Sequence, residues 1–412
     1  MRFVDILYFL FLLTLSLDPT GFHSRLKDLL FVVLVIYGVI YCLRRQQYLA
    51  SINRITILGL LLIPLWGMFI AYITDSLTDV SYAMSQVRSM FYISIFFFAV
   101  TMRIDVLLKM VWVNGIILAV LTLVLFFLSE LGGMFLAVIY DYCNRSGNFL
   151  MAYQRDFLGF MVNGLYFKAG SLIIFSFVYN LYQYKGRFKL LLSIILFLSL
   201  MVAGSRTPML VQTMILLIYL YDKNVIGKFL TRVATVVLLG MLVMVTYLLA
   251  TQKNESSNEV KYDNYESYVD NLGEKGHLIW GAGLGSEFYA KGRGEKLAYS
   301  ELSYMDVIRM YGIPVGGCMI FLFFAPCFWL WKYYARSLFL KRYCLGYALF
   351  LVLSGTNPLL LGSVGLTALT LMMTIVNKSL CMEWTKGRQP ETVEVERTGG
   401  GEPLVIDNMV LR

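Results

Sequence analysis

Charge is scarce in this chain. Asp, Glu, Lys and Arg together make up 15% of its 412 residues, and 58% are hydrophobic. Soluble globular domains carry roughly 25% charged residues, so a water-exposed surface of ordinary polarity is excluded. Histidine is scarcer still. His23 and His277 are the only two, which excludes a His-rich metal centre. The six cysteines form no Cys-x-x-Cys pair and lie mostly in or beside apolar runs. There a free thiol acts as a small hydrophobe, and a disulfide framework is not expected. No basic run interleaved with aromatics is present, so the net charge of +9 does not point to nucleic acid. Alternating segments of about ten residues, the mark of a membrane β-barrel, are missing. So is an internal repeat of the kind that builds many transporters.

What the chain has instead is long apolar runs, such as residues 55–73, 110–128 and 233–250. A helix of about 20 residues crosses about 30 Å of hydrocarbon. In that medium each backbone amide must be satisfied within its own segment. The expected fold is therefore all-α: a polytopic integral membrane protein with about twelve spans. Their centres fall near residues 10, 36, 64, 94, 117, 176, 196, 214, 240, 318, 349 and 369. The N-terminal run resembles a signal peptide, but Asp5 interrupts it and no small-x-small cleavage site follows. It is expected to be an uncleaved first span.

Lys and Arg orient the spans. Arg44, Arg45 and Arg54 form one cluster; Lys185, Arg187 and Lys189 a second; Lys223, Lys228 and Arg232 a third; Lys332, Arg336, Lys341 and Arg342 a fourth. Twelve spans put all four on one face, the cytoplasmic one by the positive-inside rule, with both termini. The opposite face then receives residues 18–28, 74–88, 129–168, 204–207, 251–304 and 355–358. Two of these loops are large, and long loops in compact proteins usually carry function. Residues 134–139 and 157–167 read as amphipathic pieces at the interface. The expected organisation is a transmembrane domain over 1–381, including the loops 129–168 and 251–304, and a disordered cytoplasmic tail over 382–412.

Three motifs lie on the outer face. Ala203-Gly204-Ser205-Arg206-Thr207-Pro208 is a tight turn into a helix. The turn explains its glycine and proline but not Arg206, which opposes the orientation bias. Arg206 either snorkels to headgroups or binds phosphate at the N-terminus of the next helix. The segment 299–314 contains Glu301, Asp306 and Arg309 at the lip of the membrane. Asp306 and Arg309 are i,i+3 neighbours that can pair; alternatively one carboxylate is a general base and Arg309 an anion ligand. Trp280-Gly281-Ala282-Gly283-Leu284-Gly285 has glycines at alternate positions without the strand–helix context of a nucleotide site. It reads as a tightly turning loop. Arg88, Arg145, Arg155, Lys168, Asp141, Asp156 and His277 also fall on this face. Arg145 and Arg155 lie in a stretch bearing Tyr and Asn that suits sugar and phosphate contacts.

In combination, GSRTPML ending a span, W-G-x-G-x-G in a long outer loop, and E-x-x-Y-x-D-x-x-x-x-Y-G-I entering the next span resemble the O-antigen polymerase (Wzy) and O-antigen ligase superfamily. The resemblance covers roughly residues 170–380. It implies a GT-C-like, metal-independent glycosyltransferase of the bacterial inner membrane, with no cofactor. Such an enzyme joins undecaprenyl-diphosphate-linked oligosaccharide repeat units at the periplasmic face. By resemblance Arg206 binds the donor diphosphate, assisted by Arg309, Arg155 and Arg145. Glu301 stands where ligases of the superfamily carry a histidine, which favours polymerase over ligase. It is the candidate base, with Asp306 the alternative. The implied partners are lipid-linked glycans, membrane lipids and a chain-length regulator protein. The competing readings are transfer of glycan to lipid A–core and flipping of lipid-linked oligosaccharides. A flippase would carry charges through the middle of its bundle, whereas here the unusual charges gather at one face.

Overall fold

The computed structural model describes all residues except 1–2, 20–24, 48, 146–149, 158–159, 203–205, 224–239, 241–255, 275, 301, 334–336, 356–358 and 387–412. It is a helix bundle with two short antiparallel hairpins. The helices are α1 (Phe3–Leu17), α2 (Leu26–Arg44), α3 (Ser51–Ile73), α4 (Val80–Met90), α5 (Phe96–Ala99), α6 (Ile104–Glu130), α7 (Gly133–Arg145), α8 (Ile173–Tyr182), α9 (Lys189–Met201) and α10 (Arg206–Lys223). After them come α11 (Ser256–Leu272), α12 (His277–Trp280), α13 (Ser303–Tyr333), α14 (Leu338–Gly355) and α15 (Ser363–Lys386).

Among the described residues six helices are long and apolar enough to cross a membrane: α2, α3, α6, α13, α14 and α15. Of the other expected spans, five coincide with shorter or less apolar helices, and the one near 240 lies, apart from Gly240, outside the described residues. The span expected near 94 is broken: α4 passes through the 3₁₀ turn Phe91–Ile95 into α5. Residues such as Ile36, Leu58, Leu62, Phe127 and Phe321 are exposed on the bundle's outside. That apolar belt suits lipid and not water. Helix α15 is the axis of the bundle, with 89% of its most apolar stretch buried. It nevertheless carries polar groups. Asn377 accepts from the Ala50 amide at 2.8 Å, and Asn53 donates to the Met373 carbonyl at 3.0 Å. Buried amides without such partners would be costly.

The interfacial pieces take definite forms. Residues 134–139 fall inside α7. Residues 157 and 160–167 belong to a hairpin, β1 (Leu150–Phe157) with β2 (Phe160–Phe167), in register from Leu150↔Phe167 to Phe157↔Phe160. Helix α15 continues past the boundary expected at residue 381, to Lys386, while its candidate membrane span ends at Leu380.

The polar segment 251–304 is also built. It holds α11, the single turn α12 and a second hairpin, β3 (Phe288–Ala290) with β4 (Glu295–Leu297). Tyr268, Phe288 and Ala290 form a small core of their own beside Leu297, Leu302 and Met305.

Helix α13 explains why this segment is anchored. It has 31 residues, about 46 Å at roughly 1.5 Å each, more than a hydrocarbon layer needs. It kinks at Gly312, whose φ is 74°. Four residues after Met310 stands Pro314, which has no N–H to give its carbonyl. The glycine-rich loop fills the gap. Ala282 N–H donates to Arg309 O at 2.7 Å and Gly283 N–H to Met310 O at 3.1 Å; Leu284 N–H reaches Gly67 O of α3 at 2.9 Å. An unpaired carbonyl in an apolar setting costs roughly 2–7 kcal/mol, so this docking is a strong fastening. It also explains the glycines. Gly283 has φ +88°, and a Cβ there would sit 2.5 Å from the Ala71 backbone. The loop is a latch against α3 and α13, not a phosphate cradle.

Candidate functional site

A cavity of about 290 Å³ opens at one end of the bundle. Its walls come from or directly follow five of the six segments that the charge pattern puts on the outer face. Pro19 and Lys27 belong to the first, Tyr82, Gln86 and Arg88 to the second, Lys168 to the third, Tyr299, Ser303 and Asp306 to the fifth, and Leu359–Val364 to the last. Segments far apart in sequence thus meet at one place.

Three cations face this cavity. Lys27, in the first turn of α2, is buried; its Nζ donates to the Pro19 carbonyl and lies 5.2 Å from the Tyr92 ring centre. Arg88, in the last turn of α4, bonds Asp28 at 2.5 Å and leaves 60% of its side chain exposed. The Tyr92 hydroxyl donates to the other oxygen of Asp28. Lys168 follows β2 and is partly buried. No hydrogen bond or ion pair holds it among the described residues. Burial lowers its ammonium below the ordinary lysine value, because the charged form loses hydration with nothing in return. An unneutralised cation in a concave site attracts an anion.

Two further features line the same space. The Gln86 side-chain oxygen is buried and meets no donor among the described residues. A ligand hydroxyl would satisfy it. Tyr82 and Tyr299 stack with ring centres 5.0 Å apart and planes 7° from parallel, a flat apolar wall of the kind sugar rings pack against.

Asp306 supplies the carboxylate. It is buried at the start of α13, its oxygens accepting from the Ser300 amide at 3.0 and 3.3 Å. Tyr268, from α11, donates its hydroxyl to Oδ1 at 2.5 Å. Burial, and then the negative charge of Asp306, hold the Tyr268 phenol well above its ordinary range, which keeps it the donor. Its single proton being committed, Tyr268 receives the Ser300 hydroxyl at 2.7 Å, and the Leu302 amide in turn donates to Ser300 Oγ at 3.2 Å. The carboxylate is fixed by the outer segment, with Oδ2 the less encumbered oxygen.

Arg309 is not at the cavity. Its side chain is fully buried. It donates to Ser286 O and Oγ at 3.0 and 2.8 Å and to Ala298 O at 2.5 Å, with the Phe288 ring centre 4.7 Å away. The expected role in anion binding is therefore corrected: Arg309 rivets the latch, its guanidinium spent on loop carbonyls. Nor does it form the expected contact pair with Asp306; each bonds the loop separately. The backbone of Arg206 begins α10, that of Arg145 ends α7 and that of Arg155 lies in β1, but their side chains, and Glu301 entirely, lie outside the described residues. His277 bonds Asn271 O at 2.9 Å, away from the cavity.

The cavity's cations are weakly marked in the sequence. Arg88 and Lys168 appear in sequence only as members of the outer face, and Lys27 not at all. The signal existed: each, like Arg206, is a cation in a segment that the charge pattern assigns to the face the positive-inside rule depletes. Compared with family models, curated proteins and solved structures, the chain matches none.

Proposed function

We propose that the chain is a membrane glycosyltransferase that joins polyprenyl-diphosphate-linked oligosaccharide units, an O-antigen polymerase, working at the cavity end of the bundle. The observation that carries this reading is the pairing of three cations, one without a partner among the described residues, with a buried, pre-oriented carboxylate in one cavity. In this reaction a sugar hydroxyl attacks the anomeric carbon of the donor, and the bond from that carbon to the diphosphate oxygen breaks. Negative charge grows on the departing diphosphate, where fixed cations stabilise the transition state. Lys27, Arg88 and Lys168 would take the diphosphate. Asp306 would accept the hydroxyl proton. Gln86 and the Tyr82–Tyr299 wall would receive the sugar. The cavity lies near the small end of ligand pockets, about 300–1,000 Å³, so it suits a headgroup and its first sugar, not a whole oligosaccharide.

The test is an elongation assay with the purified chain and one lipid-linked repeat unit, with and without chelator. A ladder of products unaffected by chelator is expected. Asp306→Asn should abolish the ladder while retaining donor binding. Transfer of single units to lipid A–core without a ladder would establish a ligase instead; movement of the lipid across a vesicle without any new glycosidic bond would establish a flippase.

A further inference from the structure

The headgroup cavity has a neighbour. A second cavity, of about 340 Å³, is lined by Asp28, Phe31, Val32, Met84, Val87, Arg88, Phe91 and Tyr92. Six of these eight are hydrocarbon or aromatic. Arg88 and Tyr92 line both cavities, so the two are adjacent. Their shared wall is the Arg88–Asp28 pair with the Tyr92 hydroxyl on the same carboxylate. Helix α2 packs closely on α5 and the 3₁₀ turn before it, and residues of α2 and α4 face each other across the groove. The opening between α2 and α4 is spanned by that ion pair. Val32, Met84 and Phe91 are exposed, on the belt that faces lipid.

A cationic chamber beside an apolar groove, with Arg88 lining both, has the shape of an amphiphile. We infer that the groove between α2 and α4 is where the hydrocarbon chain of a phosphate-bearing lipid leaves the bundle, with Arg88 and Asp28 at the threshold. This inference rests on the proposed reading of the cavity as a diphosphate site and adds the path of the chain. The occupant is one long hydrocarbon chain carrying an anionic head. A soluble sugar nucleotide would leave the groove empty, and an apolar lipid would leave Lys27 and Lys168 without an anion. At the threshold the head exchanges with Asp28 for Arg88, whose exposed guanidinium has donors to spare. The chain then fills the groove, where each buried methylene adds affinity.

The experiment compares inorganic diphosphate with farnesyl diphosphate as ligands of the purified full chain, by titration calorimetry. The wild type is expected to bind farnesyl diphosphate at least about tenfold more tightly, the effect of only a few buried methylenes. Val87→Trp, and separately Met84→Trp, narrow the groove and should erase that preference while leaving inorganic diphosphate affinity unchanged. Leu62→Trp, on the exposed face of α3, should change neither. A wild type with no chain preference, or plugged variants that keep it, would overturn the inference. If inorganic diphosphate binds no more weakly to Lys27→Gln and Lys168→Gln than to wild type, the cavity reading fails instead, and the two failures are told apart.

Discussion

The bundle contains the same trio of side chains twice. Tyr182, Asp222 and Arg342 join α8, α10 and α14; Tyr92, Asp28 and Arg88 join the ends of α2 and α4. In the first, Arg342 binds Asp222 through two bonds of 2.6 Å, and Tyr182 adds a third at 2.6 Å. The side chains are 23% and 7% exposed. In the second, Arg88 makes one contact, and the exposures are 60% and 30%. Identical chemistry thus serves two ends. A sealed, bidentate pair satisfies its charges and holds helices together. An open, single-contact pair beside two further lysines keeps donors in reserve for a ligand.

The largest break in this comparison should come from the sealed side. Arg342→Ala strands Asp222 among apolar helices, and losing one member of a buried pair costs about 3–5 kcal/mol; a clear fall in the detergent-solubilised melting temperature is expected. Arg88→Gln should lower stability by no more than about 1 kcal/mol, as for exposed pairs, yet weaken diphosphate binding. If both variants melt alike, the two trios do not differ as described.

Gly283→Ala comes next. It forces a side chain onto a positive φ against the Ala71 backbone, so roughly 1–3 kcal/mol of strain should loosen the latch. Protease sensitivity of residues 256–302 would report it, with the helices left protected. Of similar size, Tyr268→Phe removes one bond to Asp306, worth about 1.5–3 kcal/mol when the acceptor is charged. Elongation should slow with little change in donor binding; a matched loss of binding would make Tyr268 merely structural.

The pH dependence sharpens the same contrast. Only protonated Lys168 attracts an anion, and burial without a partner lowers its pKa. The contribution of Lys168 to diphosphate affinity is therefore full below that lowered pKa and lost as pH rises through it, in a window below the ordinary lysine value of about 10.4. Lys27, Arg88 and Asp306 share the cavity, so the check is Lys168→Arg, which stays charged and should hold its affinity into more alkaline solution. An unchanged profile in that variant would assign the titration elsewhere.

Much of the fold was legible because it is written locally. Apolar runs near 36, 64, 117, 318, 349 and 369 became long helices, since hydrocarbon leaves the backbone no alternative. The run near 94 became a broken helix packed against α15, and the run near 176 a short one packed on α6, α9 and α14; a window of hydropathy does not see such partners. Asp306 was legible as a carboxylate at the lip of the membrane. Arg309 was misjudged because its sequence neighbours say nothing of Ser286 and Ala298, which reach it from a loop that returns through the glycines.

The sequence by itself determined a helical, membrane-class chain and an asymmetric distribution of charge, since composition and periodicity act over a few turns. Only the tertiary structure decided which charges are spent and which are free. Burial and pairing depend on segments hundreds of residues apart, such as Lys27 and Gly362 on one cavity wall. They turned the glycine motif into a latch, Arg309 into its rivet, and Lys27, Arg88 and Lys168 into the site.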